Sequence, residues 1–265
     1  MTRHNLRVNR RFFLKTAGAC LLSAAAPFKP LPVSARPRQP WVAVPPSIML
    51  HARQDHLDNL PVFIDWLLEN GLTPITYRAL WEGLTADGVL PADPVIVSID
   101  DLILVRGSNN FYFVEKMVNV FIEKAVPVVL GINTEPLMTG ADNRLVQLRD
   151  QDDTLWATAK AWLAHGIELA THTQSHKNLA DPSLNPGDYQ REIGGSAQMI
   201  FERTGQPVTT LVLPYGNGAG ADGVLLPPIV EACRAAGIGM VVGVAGGRAP
   251  LSVAPAGMVY FVGRV

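Results

Sequence analysis

Two histidines four residues apart, His172-Thr-Gln-Ser-His176, are the first sign of chemistry in this chain. At that spacing on one helical turn, both imidazoles point the same way and can share a metal. A carboxylate would complete a two-histidine, one-carboxylate set that leaves coordination positions open for water and substrate. Asp100-Asp101 offers that carboxylate twice over. Successive strand residues point to opposite sides, so a turn must begin at the pair if both are to face one site. One can then bind the metal while the other stays free as a base. Standing alone, an Asp pair is equally a solvated turn or a helix cap.

These residues need a scaffold that gathers them. Apolar runs predict strands at Ser47–His51, Thr73–Thr76, Val95–Ile99, Val126–Ile132, Ile167–Thr171, Thr209–Leu213, Met240–Val244 and Val259–Val262. Helical spacing lies between them, as in Leu57, Leu60, Phe63, Ile64, Leu67 and Leu68, which Asn70-Gly71 ends. Further helices are expected at Arg78–Leu84, from Asn109-Asn110 to Ile122, and at Leu155–Ala164, Tyr189–Arg203 and Pro228–Ala236. Strands alternating with helices imply a parallel sheet covered by helices. The fold expected is α/β: a (β/α) barrel of distorted TIM type with about seven to eight strands, in a single domain. A doubly wound open sheet is the alternative. In such a barrel the reactive groups gather where the strands end. His51 ends the first strand, Asp100 and Asp101 the third, His172 and His176 follow the fifth, and Pro214-Tyr215-Gly216 follows the sixth.

Taken in order, these segments resemble the NodB-type polysaccharide deacetylases, carbohydrate esterase family 4. Val95-Ile-Val-Ser-Ile-Asp100-Asp101 is similar to the family's Thr-Phe-Asp-Asp-Gly motif. His172-Thr-Gln-Ser-His176 resembles its His-Ser/Thr-x-x-His motif, and Leu213-Pro214-Tyr215-Gly216 the core of Arg-x-Pro-Tyr-Gly. Ser47-Ile-Met-Leu-His51 resembles the opening strand of the branch acting on poly-N-acetylglucosamine. The resemblance implies that Asp101, His172 and His176 bind a divalent metal, zinc. It makes Asp100 the general base, and the Tyr215 backbone N–H a donor to the oxyanion, with Pro214 and Tyr215 lining the substrate. The implied reaction is removal of N-acetyl groups from a polysaccharide containing N-acetylhexosamine. The family's usual acid, a His near the chain end, has no counterpart, since no His follows His176. In the poly-N-acetylglucosamine branch the His ending the first strand takes that role, which points to His51.

The chain departs from the family pattern at Ile99, Leu102 and Val212; the last stands where many members carry an Arg that orients the base. A catalytically weak or inactive carbohydrate-binding relative is therefore one alternative. A hydrolase of another amide or ester, using the same metal site, is a second.

Charge completes the sequence reading. The 265 residues carry 22 Lys+Arg against 23 Asp+Glu, with 48% hydrophobic and 17% charged residues. This composition excludes a disordered chain, and the lack of basic excess argues against nucleic-acid binding. The balance is uneven, because residues 1–38 hold eight basic residues and no acid. Asn9-Arg10-Arg11-Phe12-Phe13-Leu14-Lys15, an apolar run Ala17–Ala26 and small-residue sites ending at Ala26 or Ala35 resemble a twin-arginine export signal. The expected layout is a signal over 1–35, a linker over 36–45 and the deacetylase domain over 46–265, in a protein acting in the periplasm or outside the cell. The apolar run is about half the ~20 residues that span a bilayer, so no transmembrane span is expected. Cleavage after Ala35 leaves 16 Lys+Arg against 23 Asp+Glu, a net −7. An acidic surface disfavours anionic polymers and suits a neutral N-acetylated glycan. Cys20 and Cys233 are the two cysteines, and the first lies in the signal, so no disulfide is expected.

Overall fold

The computed structural model describes residues 44–85, 89–105, 108–135, 137–139, 145–147, 153–220, 223–244, 252–253 and 259–264. The proposed export signal over 1–35 and most of the linker, residues 36–43, lie outside the described residues.

Seven parallel strands form a nearly closed barrel, as the alternation of strands and helices predicts. Around the ring they run β1 (Ser47–His51), β3 (Pro94–Leu102), β4 (Val129–Ile132), β7 (Glu168–Thr171), β8 (Thr210–Val212), β9 (Met240–Val244) and β11 (Tyr260–Arg264). The ring nears closure where β11 comes up against β1. A short β2 (Thr73–Ile75) also pairs parallel with β3, so the second predicted strand adds to the sheet without joining the ring. The hairpin β5–β6 (Leu137–Thr139, Leu145–Gln147) and β10 (Ser252–Val253), antiparallel to β11, have no counterpart among the predicted strands.

Helices cover the ring: α1 (Gln54–Glu69), α2 (Tyr77–Thr85), α3 (Asn109–Glu123), α4 (Asp153–Trp162), α5 (Pro186–Tyr189), α6 (Ser196–Thr204) and α7 (Pro227–Ala236). Local caps set their starts. Ser108 accepts the Phe111 N–H at α3, and Asn185 with Asp188 forms a capping box at α5. Left-handed glycines stop others: Gly205 closes α6 and Gly237 closes α7. Between α5 and α6, residues Gln190–Gly195 make a π-helical turn where the sequence predicts unbroken helix. Among the described residues no helix is long and apolar enough to cross a membrane.

Strand periodicity divides the core in two. Val95, Val97, Ile99, Leu130, Leu169, Leu211, Val241 and Phe261 pack outward against the helices. Ile96, Val129, Ala170, Val212, Met240, Val242 and Val262 fill the barrel interior together with Tyr77 and Leu80 from α2. The same two-residue period carries the inner face onward from Ile96 to Ser98 and Asp100, from Ala170 to His172, and from Val262 to Arg264. Polar groups therefore collect at the C-terminal mouth of the barrel.

At the opposite end, Glu168 is fully enclosed. It accepts the Arg78 backbone N–H at 2.9 Å and the Thr210 hydroxyl at 2.6 Å. Burial pushes its carboxyl above the ordinary value, against the pull of those bonds. Glu168 thus caps the start of α2 and anchors it across the barrel floor.

The start of β9 shows how tightly α2 seats. A Cβ placed on Gly239 would lie 2.0 Å from Trp81 Nε1 and 2.5 Å from its Cε2. Gly239→Ala should lower stability by about 1–3 kcal/mol through overpacking. A urea melt would register this as a lower midpoint; an unchanged midpoint would show that α2 can shift freely.

Candidate metal and catalytic site

Asp100 and Asp101 are separated by backbone geometry. The pairing of β3 with β4 shifts register between Ile99 and Leu102, and Asp101 takes φ +64°. A bulge with a left-handed residue thus does the work assigned to a turn in the sequence. Asp100 keeps the inner-face direction and is buried, at 3% exposure. Asp101 swings to the barrel mouth, its side chain 36% exposed. Leu102 then returns to the outer core.

The two histidines do not sit on a helical turn. His172 continues β7, and residues 172–176 form an irregular segment in which Thr173 (φ +68°) and His176 (φ +58°) are both left-handed. The rings still converge, with centroids 4.8 Å apart. His172 Nε2 and His176 Nε2 each lie 3.1 Å from Asp101 Oδ1. One ligand atom from each of the three residues falls within 4.8 Å of the others.

The donor set fits a divalent metal. His172 Nδ1 lies 2.9 Å from the Val212 carbonyl, to which it can only donate. That keeps a proton on Nδ1 and turns Nε2 toward Asp101, where it donates to the carboxylate while protonated and can ligate a metal once that proton is lost. Partial burial raises the Asp101 carboxyl, but hydrogen bonds and charge from His172 and His176 outweigh it and hold it well below the ordinary range. It is thus an anion, as a metal ligand must be.

His51 stands in register with Asp100 across β1 and β3, and its Nε2 is 3.8 Å from Asp101 Oδ2. His56, in the first turns of α1, places Nδ1 3.0 Å from the His51 backbone N–H. His56 therefore pins the backbone that carries His51. Tyr215 lies in a tight turn, Pro214–Gly216, with φ +58° and its side chain largely exposed, and its ring centroid is 4.6 Å from that of His176. Gly216 in that turn has φ +69°, and a Cβ on it would lie 2.6 Å from Val244 Cβ. The turn is thus pressed against β9 as only glycine permits.

Sequence reasoning missed Arg264. Its guanidinium reaches across the interior to clamp Asp100, Nη1 to Oδ1 at 2.6 Å and Nη2 to Oδ2 at 2.7 Å, and Nη1 also donates to Ser98 Oγ at 2.9 Å. Burial would lower the guanidinium's pKa, but the Asp100 charge and hydrogen bonds outweigh it and raise it. The charge missing at Val212 is supplied from β11 instead. The available signal was strand parity: Arg264 lies two residues beyond Val262 on the inner face.

Residues 91–223, half of the chain, match the family model described as polysaccharide deacetylase. The chain belongs to the polysaccharide deacetylase family. Solved structures with a similar fold include deacetylases. The Streptococcus pyogenes deacetylase PplD, solved in complex with acetate, is 14% identical over 83% of this chain and 92% of its own, with a TM-score of 0.61. A de-N-acetylase from Aggregatibacter actinomycetemcomitans is 16% identical over 83% and 93%, with a TM-score of 0.60. IcaB from Ammonifex degensii is 18% identical over 84% and 91%, with a TM-score of 0.57. At these identities the likeness is one of fold. Comparison with curated protein sequences gives no match. The family's deacetylases are metal-dependent, and in this member the Asp101, His172 and His176 cluster is where a metal can bind.

Proposed function

We propose that this protein is a zinc-dependent deacetylase that removes N-acetyl groups from an exported polysaccharide rich in N-acetylhexosamine, with the poly-N-acetylglucosamine type as first candidate. The observation that carries the reading is the convergence of Asp101, His172 and His176 beside an Arg-clamped Asp100 and His51 at one barrel mouth. Asp101 and the two Nε2 atoms would hold the metal, whose Lewis acidity acidifies water and polarises a carbonyl.

Asp100 takes the proton of the water that attacks the acetamide carbonyl. Arg264 engages both of its oxygens but leaves each a second lone pair, so the carboxylate stays aimed and able to accept. The Tyr215 backbone N–H donates to the developing oxyanion, on a turn too tightly packed to reorganise during the reaction. His51 protonates the departing amine, because an amide anion is too basic to leave unprotonated. The carbonyl carbon gains a C–O bond and loses its C–N bond, giving acetate and a free amine. Pro214 and Tyr215 line the approach, and the exposed Tyr215 ring offers a face on which a sugar can stack.

The acid-free basic stretch over residues 1–38 supports export by the twin-arginine route to the periplasm or beyond. The acidic remainder suits a neutral glycan that becomes cationic as acetyl groups leave. Of the departures that motivate the inactive-relative reading, the one at Val212 is offset by the charge of Arg264 on Asp100.

Acetate release from poly-N-acetylglucosamine and chitooligosaccharides, assayed with zinc and after chelation, tests the function. No release from any acetylated glycan with zinc present would sink it. His51→Ala should lower kcat by about 10²–10⁴-fold and leave zinc affinity near that of the wild type, as expected on losing a general acid. Full kcat in that variant would assign the acid elsewhere.

A further inference from the structure

The segment between the two histidine ligands is strained, and something must hold it. Thr173 is β-branched and left-handed, a combination that is a genuine outlier, and His176 is left-handed as well. Such geometry persists only where the surroundings over-determine it. One side is held by the residues after β4. Asn133 Nδ2 donates to the His172 carbonyl at 2.6 Å, and the Glu135 N–H donates to the Gln174 carbonyl at 2.7 Å.

The other side rests on the π-helical turn, through Glu192. This residue is buried, at 2% exposure. Its Oε2 accepts the Ser175 backbone N–H at 2.9 Å, and its Oε1 accepts the Ser175 hydroxyl at 2.7 Å. Its own carbonyl accepts the Gln174 N–H at 2.9 Å. In an unbroken α-helix the Ser196 N–H would bond to that carbonyl; here it bonds to Ile193 instead. The wide turn thus presents one residue, by side chain and backbone together, to the two residues that precede His176. Such bulges are frequent at functional sites.

We infer that Glu192 is a positioning residue for the metal site: its three hydrogen bonds to Gln174 and Ser175 set the backbone that aims His176 at Asp101. The inference rests on the metal-site reading above. Glu192 acts on the ligands through Gln174 and Ser175.

Zinc affinity measured by chelator competition, together with the visible absorption of the Co²⁺-loaded protein, tests it. Glu192→Met keeps the side-chain length and loses the side-chain hydrogen bonds, and should weaken zinc binding by about 10–100-fold, the range for residues that orient metal ligands. Glu192→Gln can still accept the Ser175 N–H and donate to its hydroxyl, and should restore both affinity and the Co²⁺ spectrum. Ser175→Ala loses one of the three bonds at a half-buried position, so it should fold and show a smaller loss in the same direction. Wild-type affinity in Glu192→Met, or in Ser175→Ala should the former not fold, overturns the inference, as does a Glu192→Gln defect equal to that of Glu192→Met. His176→Ala separates the two readings. If it loses zinc while Glu192→Met does not, only the positioning role fails. If His176→Ala keeps full affinity, or the wild type takes up no zinc, both fail.

Discussion

Asp101→Ala and His176→Ala should each abolish zinc uptake and lower acetate release by at least ~10³-fold, because Lewis acidity supplies several kcal/mol and each 1.36 kcal/mol is tenfold in rate. Neither change should unfold the protein. The Asp101 side chain is 36% exposed and that of His176 28%, and both stand above the core at the barrel mouth. Their melting temperatures should stay close to that of the zinc-free wild type. His172→Ala is a different case. Its side chain is only 3% exposed and bonds to the Val212 carbonyl. Its removal should cost a further ~1–3 kcal/mol for the cavity and the stranded acceptor. Metal analysis after dialysis, an acetate assay and thermal melts give the three readouts. Full activity in Asp101→Ala or His176→Ala would remove the metal mechanism altogether.

What could be read in advance depended on whether a signal was local. The Val95–Ile99 run is β-branched and bounded by Pro94 and Asp100, so periodicity and punctuation alone mark a buried strand. Its neighbours are marked in the same way, and parallel connections then bring every strand end to one mouth. That is why His51, Asp101, His172 and His176 were legible as a group. Their local conformations were not. A four-residue histidine spacing suits a helix, but tertiary contacts to Asn133, Glu135 and Glu192 impose two left-handed residues instead. The π-helical turn leaves the apolar pattern of the helix almost unchanged, so Gly194-Gly195 gives little hint of it. The bulge at Asp101 depends on the register with β4, which no stretch of β3 encodes by itself. Arg264 was hidden for another reason. It lies 164 residues from its partner, and an Arg ending an apolar strand resembles an ordinary exposed terminus.

Arg264→Met should produce the largest combined loss, because it strikes stability and catalysis through one contact. Arg264 and Asp100 have side chains only 1% and 4% exposed. Removing one partner of a buried pair leaves an uncompensated charge and costs about 3–5 kcal/mol. The base also loses the two-point clamp that aims it, so kcat should fall by about 10²–10³-fold, in line with mispositioned catalytic groups. Arg264→Lys keeps the charge but offers no planar fork, and should recover stability better than kcat. The pair Asp100→Leu with Arg264→Met removes both charges and should regain much of the lost stability, since apolar replacement of a buried pair is often neutral or better. It should stay inactive, because the base is gone. Chemical denaturation and kcat, measured across the three variants, separate the two contributions. If the double variant is no more stable than Arg264→Met, the pair is not the source of the stability loss. If Arg264→Met keeps the wild-type kcat, Asp100 does not depend on Arg264, and the arginine's role is confined to holding β11 against β3.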